Sequence, residues 1–125
     1  MIISSNVITL TDANFETEVL GSALPVMVFM YVPWTARCKI LAPTICSFAD
    51  DNLPLPMVVG QINGDENTIT RTAYGISGYP HILFFNKGIR HFPPIDLTKA
   101  TIGQLIEYCE NKFGEIPTEL DESAL

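Results

Sequence analysis

The 125-residue chain is long enough to bury one sizeable core, and its 47% hydrophobic and 17% charged residues are typical of a packed globular domain and exclude a disordered chain. The net charge of −7 argues against nucleic acid or an anionic membrane surface as a partner. The three cysteines, Cys38, Cys46 and Cys109, are too few and odd in number for the disulfide framework of a secreted protein, so free thiols are expected.

The first part of the chain predicts two strands with a helix between them. A short apolar segment, residues 7–10, is predicted as a strand, and "TDANFETEVL" follows as a helix with Thr11 at its N-cap. "PVMVFMYV" is a continuous apolar run of the kind that is buried on both faces in the middle of an α/β sheet. Because Pro25 and Pro33 interrupt the apolar stretch, it falls short of the ~20 residues that a membrane helix needs.

The rest of the chain predicts two longer helices, one short helix and three further strands, the last two of which form a hairpin. Residues 36–50 carry apolar side chains at helical spacing, which predicts a helix kinked at Pro43. "PMVVGQI" is predicted as a strand, residues 67–74 as a short helix and "HILFF" as another strand. "NKG" is a turn signal that joins this strand to "IRHF" as a hairpin. The last helix is predicted over residues 101–113, and the acidic "GEIPTELDESAL" is expected to fray.

The order of these elements, β-α-β-α-β-α-β-β-α, predicts a mixed sheet with helices on both faces. Early strands joined through helices are expected to be parallel neighbours with right-handed crossovers, whereas the hairpin is antiparallel. The N-terminus has no Lys or Arg before its apolar residues and no extended apolar segment, so we expect no secretory signal and a cytoplasmic location.

Several segments together resemble the thioredoxin family, over about residues 7–113. They are "NFETEVL" in the first helix, the strand that leads to Trp34, "CKILAP" at the start of the second helix, "YGISGYP" before a strand, "FFNKG" at the hairpin and "IGQLIEYCENKF" in the last helix. The resemblance implies an α/β protein with the thioredoxin fold, a three-layer α/β/α arrangement around a mixed central sheet. It also implies a thioredoxin-like domain at residues 1–113, followed by an acidic C-terminal tail at residues 114–125.

The chain departs from the family where thioredoxin-like proteins have the motif Trp-Cys-x-x-Cys. Here the motif reads Trp34-Thr35-Ala36-Arg37-Cys38, so the attacking cysteine of the family falls on Thr35 and the resolving cysteine on Cys38. Disulfide exchange needs a thiolate that attacks and a second thiol that releases the mixed disulfide. Because a threonine hydroxyl does not attack disulfides, the chain lacks the attacking half of the site.

Two positions that support the chemistry in the family are also changed. Family members commonly have a buried acid five residues before the tryptophan and a lysine on the neighbouring strand, and these positions hold Phe29 and Gln61 here. Phenylalanine cannot carry a proton. An unpaired buried acid costs stability, so a chain that no longer performs the chemistry is freer to replace the acid with an apolar residue. The joint loss therefore predicts a site without ordinary dithiol reductase activity.

The leading hypothesis is a binding module that docks a polypeptide in the thioredoxin groove. Pro80 resembles the cis-proline of the family, and the loop around it offers backbone pairing to an extended peptide without needing a thiol. Trp34 and Tyr79 would enlarge the aromatic surface of the groove, and aromatic side chains are common interface anchors. The expected partner-binding residues are Trp34, Thr35, Ala36, Arg37, Tyr79, Pro80 and His81.

Other interpretations stay open at this point. In the main alternative, Cys38 is a catalytic residue that exchanges thiols as a monothiol, because the helix N-terminus with Arg37 and Lys39 favours its thiolate. Against this stands a packed and inert Cys38, as free cysteines often are. A third interpretation is a structural subunit of a larger assembly. In each case a hydroxyl on Thr35 is expected to cap the second helix.

The remaining candidate residues are assigned structural roles. Cys46 follows Cys38 by eight positions, about 12 Å along a helix, which is too far for a disulfide. Cys46 and Cys109 are both expected to be packing residues in the core or at the surface, without a functional role. His81 is expected to make a structural hydrogen bond rather than to act as a base. Cys38 with His81 supplies too few ligands for zinc, so neither a metal nor a cofactor is implied.

Overall fold

The computed structural model describes residues 1–114, so the predicted tail lies outside the described residues from position 115 onward. The strands are β1 (Val7–Leu10), β2 (Val26–Tyr31), β3 (Val58–Asn63), β4 (His81–Asn86) and β5 (Ile89–His91). The α-helices are α1 (Ala36–Asp51), α2 (Thr68–Ala73) and α3 (Ile102–Phe113). These bounds confirm the predicted strands and the two long helices to within about two residues, the usual uncertainty of element ends.

The five strands form one mixed sheet in the order β1-β3-β2-β4-β5. β3 pairs in parallel with β1 and with β2, while β2–β4 and β4–β5 are antiparallel. The mixed sheet is therefore confirmed. The expectation that β1 and β2 are direct neighbours is wrong, because β3 lies between them and pairs with both.

β2 is the central strand, and all six of its residues are buried. Alternate residues point to opposite faces of a strand, and the side chains of β2 accordingly divide between two apolar clusters. Met27, Phe29 and Tyr31 contribute to the cluster formed with α1 and α3, whereas the other three contribute to the cluster formed with Phe15 and Val19. Elements on both faces thus cover the sheet, as the three-layer α/β/α expectation requires.

Two short elements differ from the predictions. The first helix is a five-residue π-helix, Glu16–Leu20, preceded by a turn in which the Thr11 hydroxyl accepts the Ala13 N–H at 3.2 Å. The π geometry ends at Gly21, whose N–H bonds to the Glu16 carbonyl at 2.9 Å. A 3₁₀ helix, Leu97–Lys99, was not predicted, since a single turn is too short to show helical periodicity.

Local signals explain the elements that were predicted well. The hairpin turns at Lys87 and Gly88, whose φ angles of 54° and 80° are the left-handed values that a two-residue turn of this kind requires. Thr101 caps α3 by accepting the Gln104 N–H at 3.2 Å, and the Gln104 side chain accepts the Thr101 N–H in return. α1 runs without a break through Pro43.

Candidate functional site

The sheet brings the two predicted halves of the site together. β2 leads into the Trp34 segment and β4 begins directly after Pro80, and in this antiparallel pair Met30 lies opposite His81. The C-terminal end of β2 and the N-terminal end of β4 therefore meet at one edge of the sheet. The Tyr79–Pro80 bond between them is cis in the structure.

A cleft of ≈ 500 Å³ opens at this edge, and we refer to it as the proline cleft. Of the predicted partner-binding residues it is lined by Arg37, Tyr79, Pro80 and His81. Its other wall is formed by residues of β5 and of the segment that follows, including Arg90, His91, Phe92, Ile95 and Asp96. Trp34, Thr35 and Ala36 lie before and at the start of α1 and do not line this cleft.

Sequence reasoning missed the second wall of the proline cleft. Arg90 and His91 belong to β5, and Phe92, with 72% of its side chain exposed, follows directly. The available signal was "IRHFPPI", in which Arg90 and His91 stand between Ile89 and Phe92 directly after a hairpin turn. Because a hairpin folds its second strand against its first, these residues had to lie beside β4.

Trp34 and Tyr79 differ in how much of their aromatic surface is exposed at the site. Trp34 is 64% exposed, whereas Tyr79 is half-buried and packs over Gly64, where an added Cβ would collide with the tyrosine ring. The buried Tyr79 hydroxyl has no hydrogen-bond partner among residues 1–114. Of these two predicted anchors, Trp34 therefore supplies the exposed aromatic area, whereas much of the Tyr79 ring packs within its loop.

Thr35 starts α1 through its backbone. Its φ of −86° and ψ of 128° are those of an N-cap, and its carbonyl accepts the N–H groups of Cys38 at 3.1 Å and Lys39 at 3.2 Å. Its hydroxyl makes no capping bond, so the prediction of a side-chain cap is wrong.

Cys38, the one cysteine of the motif, is completely buried. It belongs to the apolar cluster on the α1 and α3 side of the sheet, which also contains Phe29, Leu41 and Ala42. A disulfide must contact the attacking sulfur directly. The thiol can therefore meet a substrate only after the first turn of α1 opens locally.

The floor beneath the motif is built from Phe29 and Gln61, which lie directly opposite each other on β2 and β3. Phe29 is fully buried and its ring stacks on that of Tyr31 at 5.5 Å. The Gln61 side chain accepts the Ile2 N–H at 2.7 Å and donates to the Ile2 carbonyl at 2.6 Å. The two positions at which the resemblance puts an acid and a lysine thus hold a hydrocarbon ring and an amide that binds the N-terminal segment.

We expect Gln61→Leu to lower the free energy of unfolding by about 2 kcal/mol. The substitution keeps the volume but removes two hydrogen bonds and leaves the buried Ile2 N–H unpaired, each loss being worth roughly 1 kcal/mol. Urea denaturation measures the change. Gln104→Leu is the control, since it removes only exposed capping bonds and should cost about 1 kcal/mol or less. Equal stability of Gln61→Leu and the wild type would contradict a tethering role.

The other two cysteines are also free thiols, with different surroundings. Cys109 is buried in α3, and burial raises the pKa of its thiol to about 12. Cys46 is partly exposed and donates a hydrogen bond to the Asp50 carboxylate at 3.4 Å, which raises the pKa of this thiol. Hydrogen bonds from Ser4 and Asn6 lower the pKa of Asp50 itself.

We expect an aromatic disulfide reagent to modify Cys46 slowly in the native protein, and Cys38 and Cys109 only after denaturation. Asp50→Asn should speed the reaction at Cys46 severalfold, because removing the carboxylate lowers the pKa of the thiol and raises its thiolate fraction. Mass spectrometry after timed quenching locates the adduct. Asp51→Asn is the control and should have a smaller effect, since Asp51 acts on the thiol only through its charge. Modification of Cys38 as fast as Cys46 would contradict its burial.

His81 is half-buried at the base of the proline cleft. Burial lowers the pKa of His81, the charge of Arg90 lowers it further, and Asp96 acts in the opposite direction. Among residues 1–114, no group of three His, Cys, Asp or Glu side chains is arranged to hold a metal ion. Within the same residues, no helix has the length and apolar character needed to cross a membrane.

Comparison with known proteins gives one family and several relatives. The family model described as Thioredoxin matches residues 6–108. Thioredoxin 1 of Synechococcus elongatus is 38% identical over 80 residues, 64% of this chain and 74% of the relative. Thioredoxin of Pseudomonas aeruginosa is 35% identical over 85 residues, 68% of this chain and 78% of the relative. Protein disulfide-isomerase 1 of Caenorhabditis elegans is 31% identical over 122 residues, 94% of this chain but 24% of that longer protein.

Proposed function

The chain belongs to the thioredoxin family, and from this membership we propose that it docks a polypeptide beside the cis-proline loop and has little or no disulfide reductase activity. The observation that carries the proposal is the pairing of Thr35 at the attacking position with a completely buried Cys38. A dithiol mechanism needs an accessible thiolate at the first of these positions.

The floor of the site supports the same proposal. A general base beneath the motif would need a titratable group, and Phe29 with its stacking partner Tyr31 supplies an apolar surface. The Oε1 and Nε2 atoms of Gln61 are both hydrogen-bonded to Ile2, and an amide does not titrate near neutral pH. These residues favour a rigid platform over a redox centre.

The surface around the motif supports docking. Trp34 is 64% exposed three residues before Arg37, which lines the same cleft as the cis-proline loop, and exposed aromatic side chains are frequent anchors for a partner. Backbone groups of the loop before β4 can pair with an extended peptide without any thiol. Exchange through Cys38 as a monothiol is disfavoured by the burial of that thiol.

Reduction of insulin with dithiothreitol as electron donor tests the redox half of the proposal. We expect wild type and Cys38→Ser to give the same slow rate as dithiothreitol alone, with a dithiol thioredoxin as the positive control. Incubation with oxidised glutathione, followed by mass spectrometry of the native protein, should leave Cys38 unmodified. Turnover that Cys38→Ser abolishes would refute the proposal.

Affinity capture with Trp34→Ala tests the docking half. We expect the variant to lose polypeptides that the wild type retains. Ile69→Ala is the matched control, because Ile69 is 73% exposed on α2 and does not line the proline cleft. Retention by Trp34→Ala of every polypeptide that the wild type captures would contradict docking at the motif.

A further inference from the structure

The proline cleft carries a charge opposite to that of the whole protein. The chain has a net charge of −7, yet two arginines, Arg37 and Arg90, line the cleft against a single carboxylate, Asp96. Burial lowers the pKa of both His81 and His91, which keeps these imidazoles uncharged near neutral pH. The cleft is therefore a local positive site on an acidic surface.

Arg90 is held in a fixed position. Its guanidinium lies 4.3 Å from the centre of the Phe92 ring and 5.8 Å from that of Tyr74, and its Nη1 donates to the Tyr74 carbonyl at 3.3 Å. Its buried Nε has no hydrogen-bond partner among residues 1–114. A guanidinium held between two rings loses little further freedom when it meets a carboxylate.

The one carboxylate of the cleft is already engaged. Asp96 accepts the Thr98 N–H at 3.0 Å and the Thr98 hydroxyl at 2.6 Å, and these bonds lower the pKa of Asp96. The charge of Arg37 lowers it further, but as the smallest contribution. The cleft therefore contains two guanidinium groups and one carboxylate, and that carboxylate is hydrogen-bonded to Thr98 in its own turn.

The rim of the proline cleft is apolar. Phe92 and Ile95, with 72% and 52% of their side chains exposed, stand on the wall that carries Arg90. A nucleic acid would extend its regularly spaced phosphates beyond the cleft over the acidic surface, and a free anion would leave these apolar side chains in water. A peptide that carries both carboxylates and apolar side chains satisfies the arginines and the rim together.

We propose that the proline cleft binds an acidic segment of a separate polypeptide, with Asp or Glu side chains against Arg37 and Arg90 and an apolar side chain against Phe92 and Ile95. The proposal rests on the docking function above and names the chemistry of the partner. It also places the partner's charged part on the β5 side of the loop, away from Trp34.

Isothermal titration calorimetry of the full-length protein with three short extended peptides tests this assignment. One peptide alternates Glu with Leu, the second Gln with Leu and the third Lys with Leu. At low salt and about pH 7.5, where the histidines are neutral, the Glu peptide should bind at least about tenfold more tightly than the Gln peptide, and the Lys peptide most weakly. Added sodium chloride should reduce this preference.

Charge-matched variants locate the binding. Arg37→Gln and Arg90→Gln should each weaken the Glu peptide about fivefold or more, whereas Arg71→Gln, which removes the same charge on α2, should leave its affinity within about twofold. Arg37 is exposed, so its variant keeps the test valid even if Arg90→Gln unfolds.

The outcomes separate this proposal from the docking function. Equal affinity for the Glu and Gln peptides that falls in Trp34→Ala and persists in Arg37→Gln would overturn the charge assignment and leave docking intact. Absence of binding by all three peptides would overturn the assignment as well. Replacement of the Asp and Glu residues in segment 115–125 by Asn and Gln tests the chain's own segment as the occupant. A higher affinity for the Glu peptide in this variant would show that the segment competes for the cleft, and would overturn the proposal of a separate partner.

Discussion

Thr35→Cys is expected to raise the rate of insulin reduction about tenfold or more above that of the wild type. The new thiol would stand at the N-cap of α1, where the helix dipole favours a thiolate, and position 35 is partly exposed to a substrate. Cys38 lies three residues further along the first turn and would then release the mixed disulfide. The insulin assay measures the gain, and intact mass after oxidation should show the loss of two hydrogen atoms.

Two variants control this gain of function. Thr35→Ser keeps a hydroxyl and should remain inactive, which separates the effect of sulfur from that of any change at position 35. Thr35→Cys combined with Cys38→Ser should form a mixed disulfide once and fail to turn over, because no second thiol releases it. An inactive Thr35→Cys protein that still forms the internal disulfide would show that the floor of the site, and not the missing sulfur alone, limits the chemistry.

The sequence predicted those parts of the fold that depend on local signals. The apolar run of β2, the turn at Lys87 and Gly88, and the helical spacing of apolar residues in α3 each act within a few residues, so pattern and turn chemistry were sufficient. The position of β3 between β1 and β2 depends on pairing between distant segments. Only the family resemblance could have supplied that order.

The contacts that arrange the candidate site leave no local pattern in the sequence. Phe29 and Gln61 could be singled out through the family resemblance, but the bonds between Gln61 and Ile2 join residues 59 positions apart. The proline cleft was half predicted, because its second wall comes from β5 and the segment after it, for which the sequence suggested no functional role. The inward packing of Tyr79 depends on Gly64, which lies just beyond β3.

Phe29→Asp, which restores the acid of the family, is expected to destabilise the fold more than Gln61→Leu does. Removing a buried phenylalanine side chain costs roughly 3–5 kcal/mol by itself. The introduced carboxyl adds to this cost, since it would sit among fully buried apolar neighbours opposite Gln61, whose amide is already bonded to Ile2. Urea denaturation should show a free energy of unfolding lower by at least that amount.

The pH dependence separates the lost packing from the buried charge. Burial would raise the pKa of the introduced carboxyl above its unfolded value of about 4. The folded state then holds its proton more tightly than the unfolded state, so the variant loses further stability as the pH rises from about 4 to the raised pKa. The asparagine of Phe29→Asn has nearly the same shape as the introduced aspartate but no charge. The difference in free energy of unfolding between Phe29→Asn and wild type should therefore not change with pH. A Phe29→Asp protein within about 1 kcal/mol of wild type near neutral pH would mean that the floor can still hold the family's acid. The absence of that acid would then give no support to the proposal that the site lacks disulfide reductase activity.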